Sequence, residues 1–325
     1  MSGTIGGQFM EMKASVIDKF GDENEFKTKF IPIPSLDKDQ VLIKLEYAGV
    51  GSWDVFEREG GYSRMLGIVP AFPYVLGSEG CGRIVNVGEN VSRFKSGDTV
   101  TAAGFLNSKG GFYAEYVAVD ERFVTHIPSF YDMREASVVL GVGITALRGL
   151  VYTLNIQKND RICILGASGG IGHLAVQMAC GLGAYVYAVA TGKDGVELTK
   201  TYGVKRNCDG HAENIASILD EMDFNQFDKA LILANSQLGD EICRRMGPKG
   251  VVAYPSGVFP EPTRHKNIQK YNGDPDAEII RHLITMIEEY KIKPYISREF
   301  SLAEVAKAHR FITGHHLGKV ALKIN

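Results

Sequence analysis

The chain has 325 residues, 45% of them hydrophobic and 23% charged, and 36 Lys and Arg against 38 Asp and Glu leave a net charge of −2. Acidic and basic residues are interspersed, which argues against nucleic acid or an anionic membrane as partner. Five cysteines (Cys81, Cys163, Cys180, Cys208 and Cys243) without a C-x-x-C pair point to a reducing compartment, the cytoplasm, with no disulfide frame.

The length suits two domains at about 150 residues each. The first nine residues carry no basic stretch and read as a tail, so no signal peptide is expected. No apolar run reaches the ~18 residues of a membrane span. The first domain is expected from residue 12 or 13. Stretches 13–17 and 40–47 alternate like half-buried strands, and glycine-punctuated strands follow at 80–88, 97–101 and 111–119. Frequent turns between short strands predict a barrel-like β domain.

From about residue 131 helices alternate with strands. The run from Arg161 to Leu165 is apolar, and Gly166-Ala167-Ser168-Gly169-Gly170-Ile171-Gly172 follows it. An amphipathic helix starts at His173, and 184–190 reads as a second strand. Strand, glycine turn and helix make a phosphate cradle, here in the variant form Ala167-x-Gly169-x-x-Gly172. The second strand ends on Ala190 and Thr191-Gly192-Lys193, with no carboxylate to bind a ribose 2′-hydroxyl. A hydroxyl and an ammonium suit a 2′-phosphate, so NADP(H) is the expected cofactor. Asp194, just beyond, could compete for the ribose. Further strands are expected at 228–234, 249–254 and 267–271, which implies a mostly parallel sheet covered on both faces. Asp274-Pro275 spells a helix start. Ile279, Ile280, Leu283, Ile284 and Ile287 follow at helical spacing, and 319–324 reads as a final strand.

In order and local sequence the chain resembles the medium-chain dehydrogenase/reductases. Residues 48–54, 73–82, 87–88, 97–100 and 114–116, the glycine turn, Ala308-His309 and 318–322 carry the likeness, which spans Lys13 to Ile324. It implies an α/β fold: a Rossmann doubly wound parallel sheet inserted into a GroES-like β-barrel catalytic domain, with the active site in the cleft between. The expected division is 13–133 for the first part of the catalytic domain, 134–290 for the NADP(H)-binding domain and 291–325 for the C-terminal return. Zinc relatives need thiolate and imidazole ligands. The matching positions hold Gly51, Ser78 and Val142, and the four-cysteine lobe of those relatives is missing between 97–100 and 110–113. No metal is therefore expected, and the resemblance is to the zinc-free quinone oxidoreductase and enoyl reductase branch.

Hydride transfer to a quinone or an α,β-unsaturated carbonyl needs no Lewis acid, because the developing charge delocalises onto oxygen. Candidate catalytic residues are Ser52, Asp54 and Tyr62, and Trp53 is either a pocket wall or a core anchor. Gly166, Ala167, Ser168, Gly169, Gly170 and Ile171 are expected at the pyrophosphate, and Thr191 and Lys193 at the 2′-phosphate. Asn235, Ser256 and Gly257 are expected at strand ends facing the cofactor. The resemblance adds Thr145 beside the nicotinamide and Lys319 reaching the pyrophosphate. It also implies a homodimer acting on a small-molecule acceptor. A non-catalytic NADPH-binding redox sensor or structural protein, and a divergent alcohol dehydrogenase, are the alternatives.

Overall fold

In a computed structural model the described residues are 4–5, 8–221, 223, 226–234 and 237–325. The chain divides into two compact units: Met1–Gly141 with Pro275–Arg281 and Ile296–Asn325, and Val142–Asp274 with His282–Tyr295.

The first unit is the GroES-like β domain. Its main sheet runs Val124–His126, Thr99–Ala103, Glu79–Val87, Gln40–Val50, Lys319–Lys323, Ile296–Ser301, and Tyr116–Asp120 also pairs with Gln40–Val50. Gln40–Val50 is the spine because its alternation buries Val41, Ile43 and Leu45 completely. Burial of each such side chain contributes about 1.5–3 kcal/mol. The final strand returns to this sheet, with Val320 opposite Val50. A three-stranded sheet, Lys27–Pro32, Glu11–Ile17 and Tyr74–Val75, completes the unit. The strand expected over 111–119 starts only at Tyr116. The Phe112 and Tyr113 N–H groups donate to Gly77 O and Leu76 O instead, and both rings are fully buried.

The second unit is the Rossmann sheet. Its strands are β1 (Arg161–Leu165), β2 (Tyr185–Ala190), β3 (Arg206–Asp209), β4 (Phe227–Ile232), β5 (Met246–Pro255) and β6 (Ile268–Tyr271), in spatial order 3-2-1-4-5-6 and all parallel. This is the doubly wound dinucleotide order. Because every strand points the same way, the segments after β1, β2 and β5 emerge at one edge of the sheet. The edge strand β3 is polar in sequence and gives no apolar signal. The helix expected from Asp274-Pro275 begins later, at Ala277. Asp276 is its cap, accepting from the N–H groups of Glu278 (2.8 Å) and Ile279 (3.2 Å).

Candidate active site

At the carboxyl edge of the parallel sheet, β1 hands over to the glycine turn. Gly166 has φ +83°, a left-handed conformation that only glycine adopts cheaply. Its N–H and that of Ala167 donate to Val189 O at 2.9 and 3.0 Å, which ties the turn to β2. A Cβ on Gly172 would lie 2.0 Å from Gly166 O, so helix Gly172–Gly181 can pack on the turn only through a glycine. Gly169 differs. A Cβ there would meet only Gly166 O, at 3.4 Å, and its φ is not positive. The fold does not demand glycine at 169. A bare backbone at this point, next to the N-terminus of helix Gly172–Gly181, fits the close approach of a pyrophosphate.

The other expected cofactor contacts divide. Ser168 is buried and its Oγ accepts the Thr191 N–H at 3.1 Å, so it braces the turn against the end of β2. Lys193 is exposed in the first turn of helix Gly192–Lys200. Asp209, which the sequence reading missed, ends β3 beside it. Its Oδ1 is occupied by the N–H groups of Gly192 and His211, each at 3.0 Å. Ser256 and Gly257 follow β5 and are exposed; the Ser256 N–H donates to Tyr271 O at 2.8 Å, and Gly257 turns with φ +97°. Thr145 is buried on helix Leu140–Leu147, where a Cβ on Gly273 would come within 2.4 Å of its hydroxyl. Asn235 lies outside the described residues.

The first unit gathers a buried polar relay around helix Ser52–Arg58. Asp54 is 0% exposed. Its carboxylate accepts from the Gly51 N–H (2.8 Å), the Ser78 hydroxyl (2.9 Å) and the Tyr113 hydroxyl (2.9 Å). Tyr113 Oη lies 3.2 Å from His309 Nε2, and His309 Nδ1 lies 3.1 Å from Arg58 Nη1. One proton arrangement satisfies every contact: Arg58 donates to Nδ1, Nε2–H donates to Tyr113, and Tyr113 donates to Asp54. Burial, then the Arg58 charge, hold His309 down to about 3, which keeps the ring neutral as this arrangement requires. Burial pushes the Asp54 carboxyl up to about 6 against these donors and the Lys319 charge. Beside it, burial and the Asp54 charge raise Glu57 to about 7, although the Tyr74 hydroxyl donates to it at 2.8 Å.

This geometry revises the expected catalytic roles. Asp54, expected as a donor near the acceptor, is a sealed acceptor of three hydrogen bonds and positions Ser78 and Tyr113. Ser52 is exposed at the helix start, while Tyr62 is half-buried, edge-on to Phe56 and Phe105 at 4.8 and 4.7 Å. Lys319, expected at a pyrophosphate, is 3% exposed and committed within the first unit. It donates to Val50 O at 3.0 Å, lies 4.5 Å from the centroid of the Trp53 ring, and pairs with Glu79 Oε1 at 2.9 Å. That last contact is an ion pair without hydrogen-bond alignment, since Glu79 Oε1 accepts no aligned donor. Glu79 Oε2 accepts the Gly141 N–H at 2.8 Å. His309 gave one sequence signal: it shares the apolar stripe of helix Val305–Ile312 with Val305, Ala308 and Ile312, where a histidine needs a partner.

Residues 37–129 match the alcohol dehydrogenase GroES-like domain, and 203–322 match the zinc-binding dehydrogenase model. The chain is 30% identical to the chloroplastic NADPH-dependent alkenal/one oxidoreductase of Arabidopsis thaliana, across 96% of this chain and 79% of that one. The chain belongs to the medium-chain dehydrogenase/reductase family. It is also 28% identical to the quinone oxidoreductase of Rattus norvegicus, across 96% of this chain and 97% of that one, and is quinone oxidoreductase-like within the family. The quinone oxidoreductase structure from Coxiella burnetii shares the fold, with a TM-score of 0.85 at 24% identity over 97% of this chain and 100% of that one. Membership makes the protein an oxidoreductase and implies a nicotinamide cofactor, which the glycine turn fits.

The zinc of some medium-chain dehydrogenases fits these residues poorly. A Cβ on Gly51 would stand 2.3 Å from the Trp53 indole, so a cysteine there would displace the tryptophan. The Ser78 hydroxyl is spent on Asp54, and Val142 is apolar and buried. Among the described residues no three His, Cys, Asp or Glu side chains converge as a metal site.

Proposed function

We propose that this protein is an NADPH-dependent reductase of quinones or α,β-unsaturated carbonyls that works without zinc. The observation that carries this reading is Trp53 standing over Gly51: the indole fills the place where a metal-ligating side chain would be needed. The relatives' names point the same way, to quinones and to alkenals and alkenones. When bound, the nicotinamide supplies the hydride. The protein's part is to hold the pyrophosphate on the turn from Gly166 to Ile171, with the 2′-phosphate at Thr191 and Lys193. The hydroxyls of Ser52 and Tyr62 are the donors proposed for the oxyanion of a conjugated acceptor, whose charge is spread widely enough for modest donors. A proton reaches the acceptor carbon from solvent or from one of these hydroxyls, because Asp54 is sealed.

The test is NADPH oxidation against a panel of quinones and enones. Turnover on members of the panel is expected, and silence across it by nucleotide-loaded protein would overturn the reading. Lys193→Ala should weaken NADPH about tenfold and NADH less than twofold; equal losses would remove Lys193 from the 2′-phosphate. A second reading, a nucleotide-binding protein without turnover, is favoured by one observation: the only carboxylate among the candidate catalytic residues is buried.

A further inference from the structure

An apolar track leads away from Ser52 along the first unit. Ser52 and Phe56 lie one turn apart on helix Ser52–Arg58, and Phe56 is 42% exposed. The Phe56 ring meets Tyr62 edge-on at 4.8 Å. Glycine at 61 is needed for that packing, since a Cβ there would stand 2.4 Å from the Phe56 ring. On helix Gly61–Leu66, Met65 and Leu66 follow Tyr62 at i+3 and i+4 and so share its face. Met65 and Leu66 are 62% and 50% exposed, and Val69 beyond them is 66% exposed. From Met65 to Ser78 the sequence holds no charged residue. Large apolar side chains exposed at such short intervals are rarely left bare without a use. The segment is anchored in the site at both ends, by Asp54 before it and by Ser78 and Glu79 after it.

We propose that Phe56, Tyr62, Met65, Leu66 and Val69 bind the apolar tail of the acceptor, so that the preferred substrates are quinones or enones bearing an alkyl chain of several carbons. This rests on the reductase reading above. Continuity selects the occupant: a polar head at the Ser52 hydroxyl places its tail against Phe56 one helical turn away. Charge disfavours a lipid surface. Arg64 is the only cation between Glu59 and Ser78, and its guanidinium already donates to Glu59 O at 2.8 Å.

The test uses the full chain saturated with NADPH. Calorimetry measures binding of unreactive saturated 2-alkanones of increasing length, and turnover is measured on 1-alken-3-ones of matching length. Affinity and kcat/KM should rise about two- to fourfold per methylene over several carbons. The double variant Met65→Ser with Val69→Ser should flatten both series, while NADPH affinity and turnover of the shortest enone stay within twofold. Length-dependent binding without turnover would keep the tail site and overturn the reductase reading. Turnover without length dependence, or a variant series as steep as the parent's, would overturn the tail site alone. Neither binding nor turnover would overturn both. If the double variant instead converts a dimer to a monomer in sedimentation, or the parent chain floats with phosphatidylcholine vesicles and the variant does not, the track covers a second copy or a membrane and the tail site is wrong.

Discussion

Two buried groups in the first unit pull its stability in opposite directions with pH. Glu57 ionises at about 7 when folded, against 4.5 ordinarily. Between those values the folded state holds the extra proton, so its contribution falls as pH rises. His309 is held to about 3 against 6.5, so over that span the unfolded state holds the extra proton and the contribution rises with pH. A variant separates the two. Relative to Glu57→Gln, the parent chain should lose about 2–3 kcal/mol between pH 4.5 and 8, read from urea midpoints; a constant difference would contradict the burial argument. Lys319 makes a second case. Removing its charge strands Glu79 in the interior, so Lys319→Met should cost about 3–5 kcal/mol, with NADPH affinity of the folded variant within twofold of the parent. A large affinity loss at unchanged stability would return Lys319 to the pyrophosphate. The partners in these contacts were not legible beforehand. Asp54 meets Tyr113 across 59 positions and Arg58 meets His309 across 251, and no local spacing reports such pairings.

The glycine turn was legible because its requirements are local: a buried strand, a left-handed glycine and a helix that must sit close. Its glycines nonetheless serve different ends. Gly172→Ala forces a methyl against a backbone carbonyl and should lower Tm by several degrees. Gly169→Ala meets ordinary contact distance, so Tm should shift by no more than about 2 °C while nicotinamide nucleotide affinity falls at least tenfold. Thermal melts and fluorescence titration of both variants check this; matching thermal losses would mean that Gly169 serves packing alone. Of two other elements, one went unread and one was started too early, for physical reasons. β3 is the polar edge strand Arg206-Asn207-Cys208-Asp209, and its role is to bring Asp209 to the Gly192 N–H. The helix after Asp274-Pro275-Asp276 offers two aspartates as caps, and spacing alone does not choose between them.

For the molecule as a whole, the alternation of helices and strands announced the parallel sheet, and the glycine-punctuated strands announced the β unit. The closing strand Lys319–Lys323, which pairs with both Gln40–Val50 and Ile296–Ser301, follows from its own alternation. The acceptor was not legible: the ring contacts that join Tyr62 to Phe56 and to Phe105 link separate segments, and no local spacing reports them. We propose metal-free hydride transfer from NADPH to a conjugated acceptor. Its most direct test is label transfer: the protein, kept in excess chelator, is given NADPH deuterated at the transferable position of C4 together with an enone. Deuterium is expected at the carbon β to the carbonyl, at a rate the chelator does not change. Bound NADPH with no label in the product, or transfer that stops with chelator and returns with zinc, would contradict it.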